Sequence, residues 1–326
     1  MVVKKDNFLS VYLRGASQVF FMENAVTGLL FLIAIGYASY LSGIWAIAIG
    51  AVIGLFVATV TAQLLDCDEG SINSGLFGFN GILVGAALPT FITASPQLWF
   101  YIIIGAAIST VVTAAFSATL TKSWGIPGST GPFVLTGWLM VAGAYSFGSL
   151  NVSGDAAKLA SDYMSGTTVI PSVMELVEIF FRNIAQVFLL GSAVSGVIIL
   201  AGIFIASIPA GIATAAGSLI ALICAIVMRA DPSVVIQGLY GFSAVLTALA
   251  VSVIFLKTST KVVIYAVLAT IATVFVQGAY DVIMSPFGLP SFTAPYVLTM
   301  YLFIAPKKFL APHPHKPVVQ HQLHDK

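Results

Sequence analysis

The ten residues Pro127-Gly-Ser-Thr130-Gly-Pro132-Phe133-Val-Leu-Thr136 return 163 residues further on as Pro290-Ser-Phe-Thr293-Ala-Pro295-Tyr296-Val-Leu-Thr299. Working outward, Gly75-Leu-Phe-Gly-Phe79 returns as Gly238-Leu-Tyr-Gly-Phe242 with the same shift of 163. Nearer the N-terminus, Arg14-Gly-Ala-Ser-Gln18-Val-Phe20 returns as Arg182-Asn-Ile-Ala-Gln186-Val-Phe188, shifted by 168. Blocks that recur in one order at nearly one spacing mark a duplicated half.

Composition gives the setting of that duplication. Of 326 residues, 59% are apolar and 8% charged, where a soluble globular chain carries about 25% charged residues. Too few charges remain to cover a surface in water, so most of the outside must face lipid. A net charge of +1 offers no field for nucleic acid. Cys67 and Cys224 lie far apart in apolar context and form neither a disulfide framework nor a metal site. The four histidines, His313, His315, His321 and His324, fall in a polar, proline-bearing tail that reads as solvated. Met1–Ser10 lacks the succession of a cleaved signal peptide. No Gly-Lys dipeptide occurs, so no phosphate-binding loop of the usual form is expected, and neither an enzyme nor a cofactor is implied.

Apolar runs of about 15–22 residues fit a hydrocarbon core about 30 Å thick. In the first half they are Ala25–Leu41, Trp45–Leu65, Gly75–Phe91, Leu98–Leu120 and Gly131–Phe147. In the second they are Ala193–Ser207, Ala210–Met228, Gly238–Leu256, Val262–Gly278 and Thr293–Ile304. A shorter amphipathic segment precedes each set, Val11–Met22 and Phe180–Leu190, and reads as a re-entrant half-helix. The expected fold is an all-α polytopic membrane protein of two inverted five-helix repeats, each with its re-entrant half-helix, and a pore at the pseudo-two-fold interface. Its parts are residues 1–147, an external loop 148–179, a second repeat 180–306 and a tail 307–326. Five crossings per half is an odd number, so the second half inserts upside down. Placing both termini on one side gathers Lys4, Lys5, Lys122, Lys257, Lys261, Lys307 and Lys308 there. The opposite side receives the acidic loop Asp155–Glu178, with Lys158 its only base, and the Arg229–Asp231 turn. Lysine excess makes the first side cytoplasmic.

Intramembrane charge is the usual mark of an ion or proton path. Glu23, Asp66, Asp68, Glu69, Arg229, Asp231 and Asp281 all fall at the ends of these runs or in turns, and no histidine precedes His313. The permeant is therefore expected to be neutral, or at least to need no charged partner. At the repeated positions stand the amides of Gln18 and Gln186, the hydroxyls of Thr130 and Thr293, and the rings of Phe21, Phe79 and Phe242, with Leu83 and Leu246 one turn beyond the last two. Pro127, Pro132, Pro290 and Pro295 surround the threonines and are expected to free carbonyls from helical pairing. The alternatives are packing for any phenylalanine, a bond to a neighbouring helix for each glutamine and back-bonding for each threonine.

The doubled Pro-x-x-Thr-x-Pro-Phe/Tyr block, the Phe79-Asn80-Gly81-Ile-Leu-Val84-Gly85 run and the Arg-x-x-x-Gln-Val-Phe block resemble the urea transporter family, in its bacterial members, over about Asn7 to Pro306. The resemblance implies a homotrimer in the cell inner membrane, one urea pore per protomer, and passive flux. It implies a narrow slot with phenylalanine faces and a ladder of oxygens. Carried over by motif, Gln18, Phe21, Phe79, Leu83 and Thr130 form one half of the slot. Gln186, Val187, Leu189, Phe242, Leu246, Thr293 and Phe303 form the other. Asn80-Gly81 becomes Ser243-Ala244, Phe21 becomes Leu189, and Phe133 becomes Tyr296, so the two mouths are unequal. Urea fits such a slot: it is planar and neutral, and each of its four N–H donors needs an acceptor as water is stripped, at about 1–3 kcal/mol for a polar group left dry. The competing reading is a channel for ammonia, ammonium or another small amide. Pore histidines are expected of an ammonia channel and are missing here.

Overall fold

The structure, a computed structural model, describes residues 7–153, 157–163 and 171–306. Lys4, Lys5, Asp155, Lys307, Lys308, the histidines and the expected tail lie outside them. The described residues are helical, with one isolated antiparallel bridge between Ile92 and Val152 and no strand. Contacts divide the chain into two compact units, residues 7–153 in the first and 157–163 with 171–306 in the second.

The first unit runs α1 (Phe8–Ser17), α2 (Ala25–Ser42), α3 (Trp45–Leu64), α4 (Glu69–Asn73), α5 (Gly78–Phe91), α6 (Pro96–Trp124) and α7 (Gly131–Ala144). The second runs α8 (Val173–Ala185), α9 (Ala193–Ala206), α10 (Ile208–Val227), α11 (Pro232–Ile236), α12 (Phe242–Ile254), α13 (Thr260–Phe287) and α14 (Ala294–Ile304). Among the described residues, α2, α3, α6, α10 and α13 are long and apolar enough to cross a membrane singly. The run Val173–Phe188 and α9 together make a bent pair, broken by 73°. Helices α5, α7, α12 and α14 are apolar but shorter.

Lipid explains the outward faces of the long helices. Ile33, Ile49, Phe56, Phe100, Val111, Ile212, Leu219, Ile264 and Leu268 are exposed, which water would not favour and a hydrocarbon solvent permits. Helix α5 differs: its residues from Gly78 to Pro89 are buried throughout, as a helix enclosed by its own unit must be. Side chains close the N-termini of these helices. Asn24 accepts from the Thr27 amide and Ser192 from the Ser195 amide; Asp68 and Asp231 do the same for α4 and α11. Each such cap contributes about 1 kcal/mol.

The letters of the repeat reappear as backbone conformation. The non-glycine left-handed residues among those described occur in pairs: Phe21 and Leu189 (φ 61° each), Asp66 and Arg229 (50° and 52°), Ser129 and Phe292 (47° each). Gly75 and Gly238 (83° and 80°) add a pair where glycine is required twice over. Besides the positive φ, a Cβ there would run into the backbone of Arg14 and Gly15 in one unit and of Arg182 and Asn183 in the other.

Two boundaries differ most from those read from hydropathy. Helix α8 starts at Val173, seven residues before the apolar segment, because Ser172 and Glu175 form a reciprocal capping box on polar residues that hydropathy passes over. Helix α13 runs nine residues past Gly278 to Phe287. It therefore carries Asp281 inside a helix rather than in a turn, held by a 2.9 Å bond from Gln277 Nε2. The short helices α4 and α11 have no apolar run of their own. Above the end of α13, Tyr163 Oη donates to the Asp281 carbonyl (3.2 Å) and the Lys158 amide to Ser285 Oγ (3.2 Å), so this part of the expected external loop is bonded to its own unit.

Candidate permeation site

In the first unit α1 ends in a tight turn over Gln18–Phe20, and Phe21 then takes its left-handed conformation. Arg14 on α1 and Gln18 in that turn fasten this segment to the end of α4. Arg14 Nη1 donates to the Asn73 carbonyl (3.0 Å) and Gln18 Nε2 to the Ser74 carbonyl (2.8 Å). The second unit repeats both bonds: Arg182 Nη1 donates to the Ile236 carbonyl (2.9 Å) and Gln186 Nε2 to the Gln237 carbonyl (2.8 Å). The structural alternative for the glutamines is thus realised at the amide nitrogen of each.

Phe79 and Phe242 sit in the first turn of α5 and α12, 8% and 7% exposed, and Leu83 and Leu246 one turn on are fully buried. Thr130 and Thr293 occupy the N-cap positions of α7 and α14, each 1% exposed, and neither side chain caps its helix. Pro132 and Pro295 lie in the first turns of these helices. There the missing N–H has no intrahelical acceptor in any case, so these prolines start helices rather than free carbonyls within them. Val187 is buried beside Gln186, and Leu189 is half-buried. Phe303, also half-buried, stacks obliquely on Tyr265 with ring centroids 5.1 Å apart, and its carbonyl accepts from Tyr265 Oη (2.9 Å).

Within each unit, hydrogen bonds tie these elements into one cluster. In the first, Asn80 on α5 accepts from the Phe133 amide (3.1 Å) and donates to Thr113 Oγ1 (3.1 Å) and the Ser129 carbonyl (3.4 Å), bracketing Thr130. In the second, Ser243 on α12 donates to Gln277 Oε1 (2.9 Å), whose Nε2 donates to Ser291 Oγ (2.8 Å), two residues before Thr293. Reading the sequence passed over Gln277, which belongs to no repeated block, and took Ser291 only as a letter of one. The signal available was the loss of an amide where Asn80 becomes Ser243. Left-handed backbone on Phe21, Leu189, Ser129 and Phe292 is strained by about 1–2 kcal/mol per residue. Such strain kept at matching positions of both units points to function. Among the described residues, no group of histidine, cysteine and carboxylates is placed to hold a metal ion.

The arrangement defines a polytopic helical membrane protein whose doubled polar cluster is made of amides, hydroxyls and rings. Comparison with known proteins gives the family. The profile of the family described as "Urea transporter" matches residues 9–308, and the chain belongs to that family. It is similar to urea transporter 1 of Capra hircus, 26% identical over 309 residues that cover 91% of this chain and 76% of that protein. Urea transporter 1 of Mus musculus is 28% identical over 305 residues, with the same coverage. The family is one of transporters rather than enzymes.

Proposed function

We propose that the chain carries urea passively across the cell inner membrane, through a slot to which each unit contributes its own cluster. The observation that carries this reading is the doubling of one neutral polar set, Gln18 and Thr130 in one unit and Gln186 and Thr293 in the other, in matching backbone conformations and with no ionisable member. A charged permeant would need a charged or carbonyl-rich partner. With each glutamine's nitrogen anchored on a backbone carbonyl, its oxygen accepts from the N–H groups of urea, and the threonine hydroxyls do so deeper in. Phe21, Phe79 and Phe242 present flat faces to a planar solute, and Val187, Leu189, Leu83, Leu246 and Phe303 complete the apolar walls. Functioning as a homotrimer, insertion of the halves in opposite senses and cytoplasmic termini belong to the same proposal.

The test is stopped-flow shrinkage of proteoliposomes with urea set against methylammonium. Urea is expected to equilibrate quickly without a proton, sodium or voltage gradient, and methylammonium to lag far behind. Accumulation of urea that collapses with a protonophore would reject passive flux, and equal or faster methylammonium entry would favour an ammonium channel. Cysteines at Ser153 and Lys307 are expected to label from opposite sides; labelling from one side would remove the inverted arrangement.

A further inference from the structure

Asn80 and Gln277 make similar bonds from different helices. In the first unit the amide stands on α5 at position 80, and position 114 on α6 is alanine. The corresponding positions 163 residues on are Ser243 and Gln277, so the amide has moved to the other member of the pair. Both amides are dry, Asn80 at 0% and Gln277 at 1% exposure. Both reach the left-handed turn that precedes a helix: Asn80 bonds the Ser129 carbonyl and the Phe133 amide, and Gln277 bonds Ser291 beside Phe292. Serine at 243 is too short to reach that turn from α12; its hydroxyl instead holds the oxygen of Gln277 (2.9 Å). The remaining donor hydrogen of Gln277 goes to Asp281 Oδ1 (2.9 Å), and Ser291 bonds the same carboxyl group. The second unit thus uses a chain of four side chains where the first uses one amide and Thr113.

We infer that Gln277 is a positioning residue for urea passage: it fixes the turn at Ser291–Phe292 and so the placement of Thr293, the part Asn80 has for Thr130. This rests on the reading of Thr293 as a residue that meets urea. The role comes from amide chemistry and not from the residue number, so an amide returned to position 243 must replace it. Ser243→Asn with Gln277→Ala gives the second unit the pair found in the first.

The experiment compares Gln277→Ala, Ser243→Asn/Gln277→Ala and the unaltered protein in liposomes, by hydrogen exchange of residues 291–299 and by urea efflux. Gln277→Ala is expected to speed exchange at the start of α14 about tenfold, equivalent to about 1.4 kcal/mol, and to slow urea about fivefold or more. The double variant is expected to return both to within about twofold of the original. Unchanged exchange in Gln277→Ala, or a double variant that does not recover exchange, overturns the inference. Recovered exchange with flux still low overturns it too, since Gln277 would then only hold the fold. If the unaltered protein does not equilibrate urea, the proposed function fails separately, and exchange still decides the positioning. Should Gln277→Ala not fold, Ser243→Ala loosens the same amide from its oxygen end and must move exchange in the same direction.

Discussion

The two units follow one plan with different packing at the crossing of the site helix. In the first, α3 meets α5 through glycine on both sides: a Cβ on Gly54 would strike the Gly81 carbonyl, and one on Gly85 would strike that of Gly50. In the second, the positions of Gly50, Gly81 and Gly85 are Ala213, Ala244 and Ala248, and only Gly217 persists. A Cβ on Gly217 would come within 2.7 Å of the Ala248 methyl and 3.0 Å of the Val245 Cα. Backbone rests on backbone in one unit, and backbone on methyl groups in the other. Helix α12 also passes into a wide π turn over Ala250–Ile254, in a register where α5 carries Pro89. Matching left-handed turns can therefore be preserved by two packings, provided each keeps the ends of its site helix in place.

The largest effect should come from exchanging these packings. Gly81→Ala adds a methyl group against fixed backbone and is expected to lower stability by about 3 kcal/mol or to prevent folding. Ala244→Gly in the second unit removes a methyl and should cost only about 1 kcal/mol. Thermal unfolding in detergent checks both, and equal losses would show that the crossings are equivalent after all.

Next come the threonines. Thr130→Val and Thr293→Val are expected to slow urea roughly two- to twelve-fold, for about 0.5–1.5 kcal/mol of lost hydrogen bonding. Two turns along the same helices, Thr136 and Thr299 are buried with hydroxyls that make no hydrogen bond. Replacing either with Val should leave flux unchanged and stability equal or slightly higher, because an unmet polar group is removed. Stopped-flow and unfolding on matched preparations would expose slowing by the second pair, which would overturn the proposed part of Thr130 and Thr293 in passage.

A smaller difference lies at the two arginines. Arg182 adds to its carbonyl bond a 2.7 Å ion pair with Glu178, whose side chain is 41% exposed; the first unit has Ser10 at the matching position. Glu178→Gln should cost at most about 0.5 kcal/mol and less in high salt, seen as a small shift in unfolding midpoint. The smallest effect concerns Cys67, in the turn between α3 and α4. Burial first, and then Asp66 and Asp68, push its thiol above the usual range. Its thiolate is therefore scarcer at neutral pH than that of an exposed cysteine. Maleimide should label it more slowly than Ser153→Cys in a Cys67-free background, with the gap narrowing as pH rises; equal rates at pH 7 would contradict that.

Much of this was legible in the residues, for a physical reason. A membrane interior accepts only apolar outer faces and internally bonded backbone, so apolar runs located α2, α3, α6, α10 and the start of α13 to within a few residues. Duplicated letters marked Gln18, Thr130 and their counterparts, although the left-handed residues of the same turns differ in type, Phe21 against Leu189 and Ser129 against Phe292. Gly75 and Gly238 were quoted as motif letters and proved to be left-handed glycines against a neighbouring helix. Hydropathy lost the polar start of α8 and the extension of α13 through Asp281, since capping and bonded carboxylates carry no apolar signal.

The sequence by itself determined the solvent, the helical class, the duplication and the neutral chemistry of the repeated side chains, all of them local properties of composition and spacing. Only the tertiary structure decided how those side chains are held. The amide needed beside Thr293 comes from Gln277, 34 residues along the chain from Ser243 and on another helix. No period or motif records a bond between side chains brought together by helix packing, because what fixes it is reach and dryness in three dimensions.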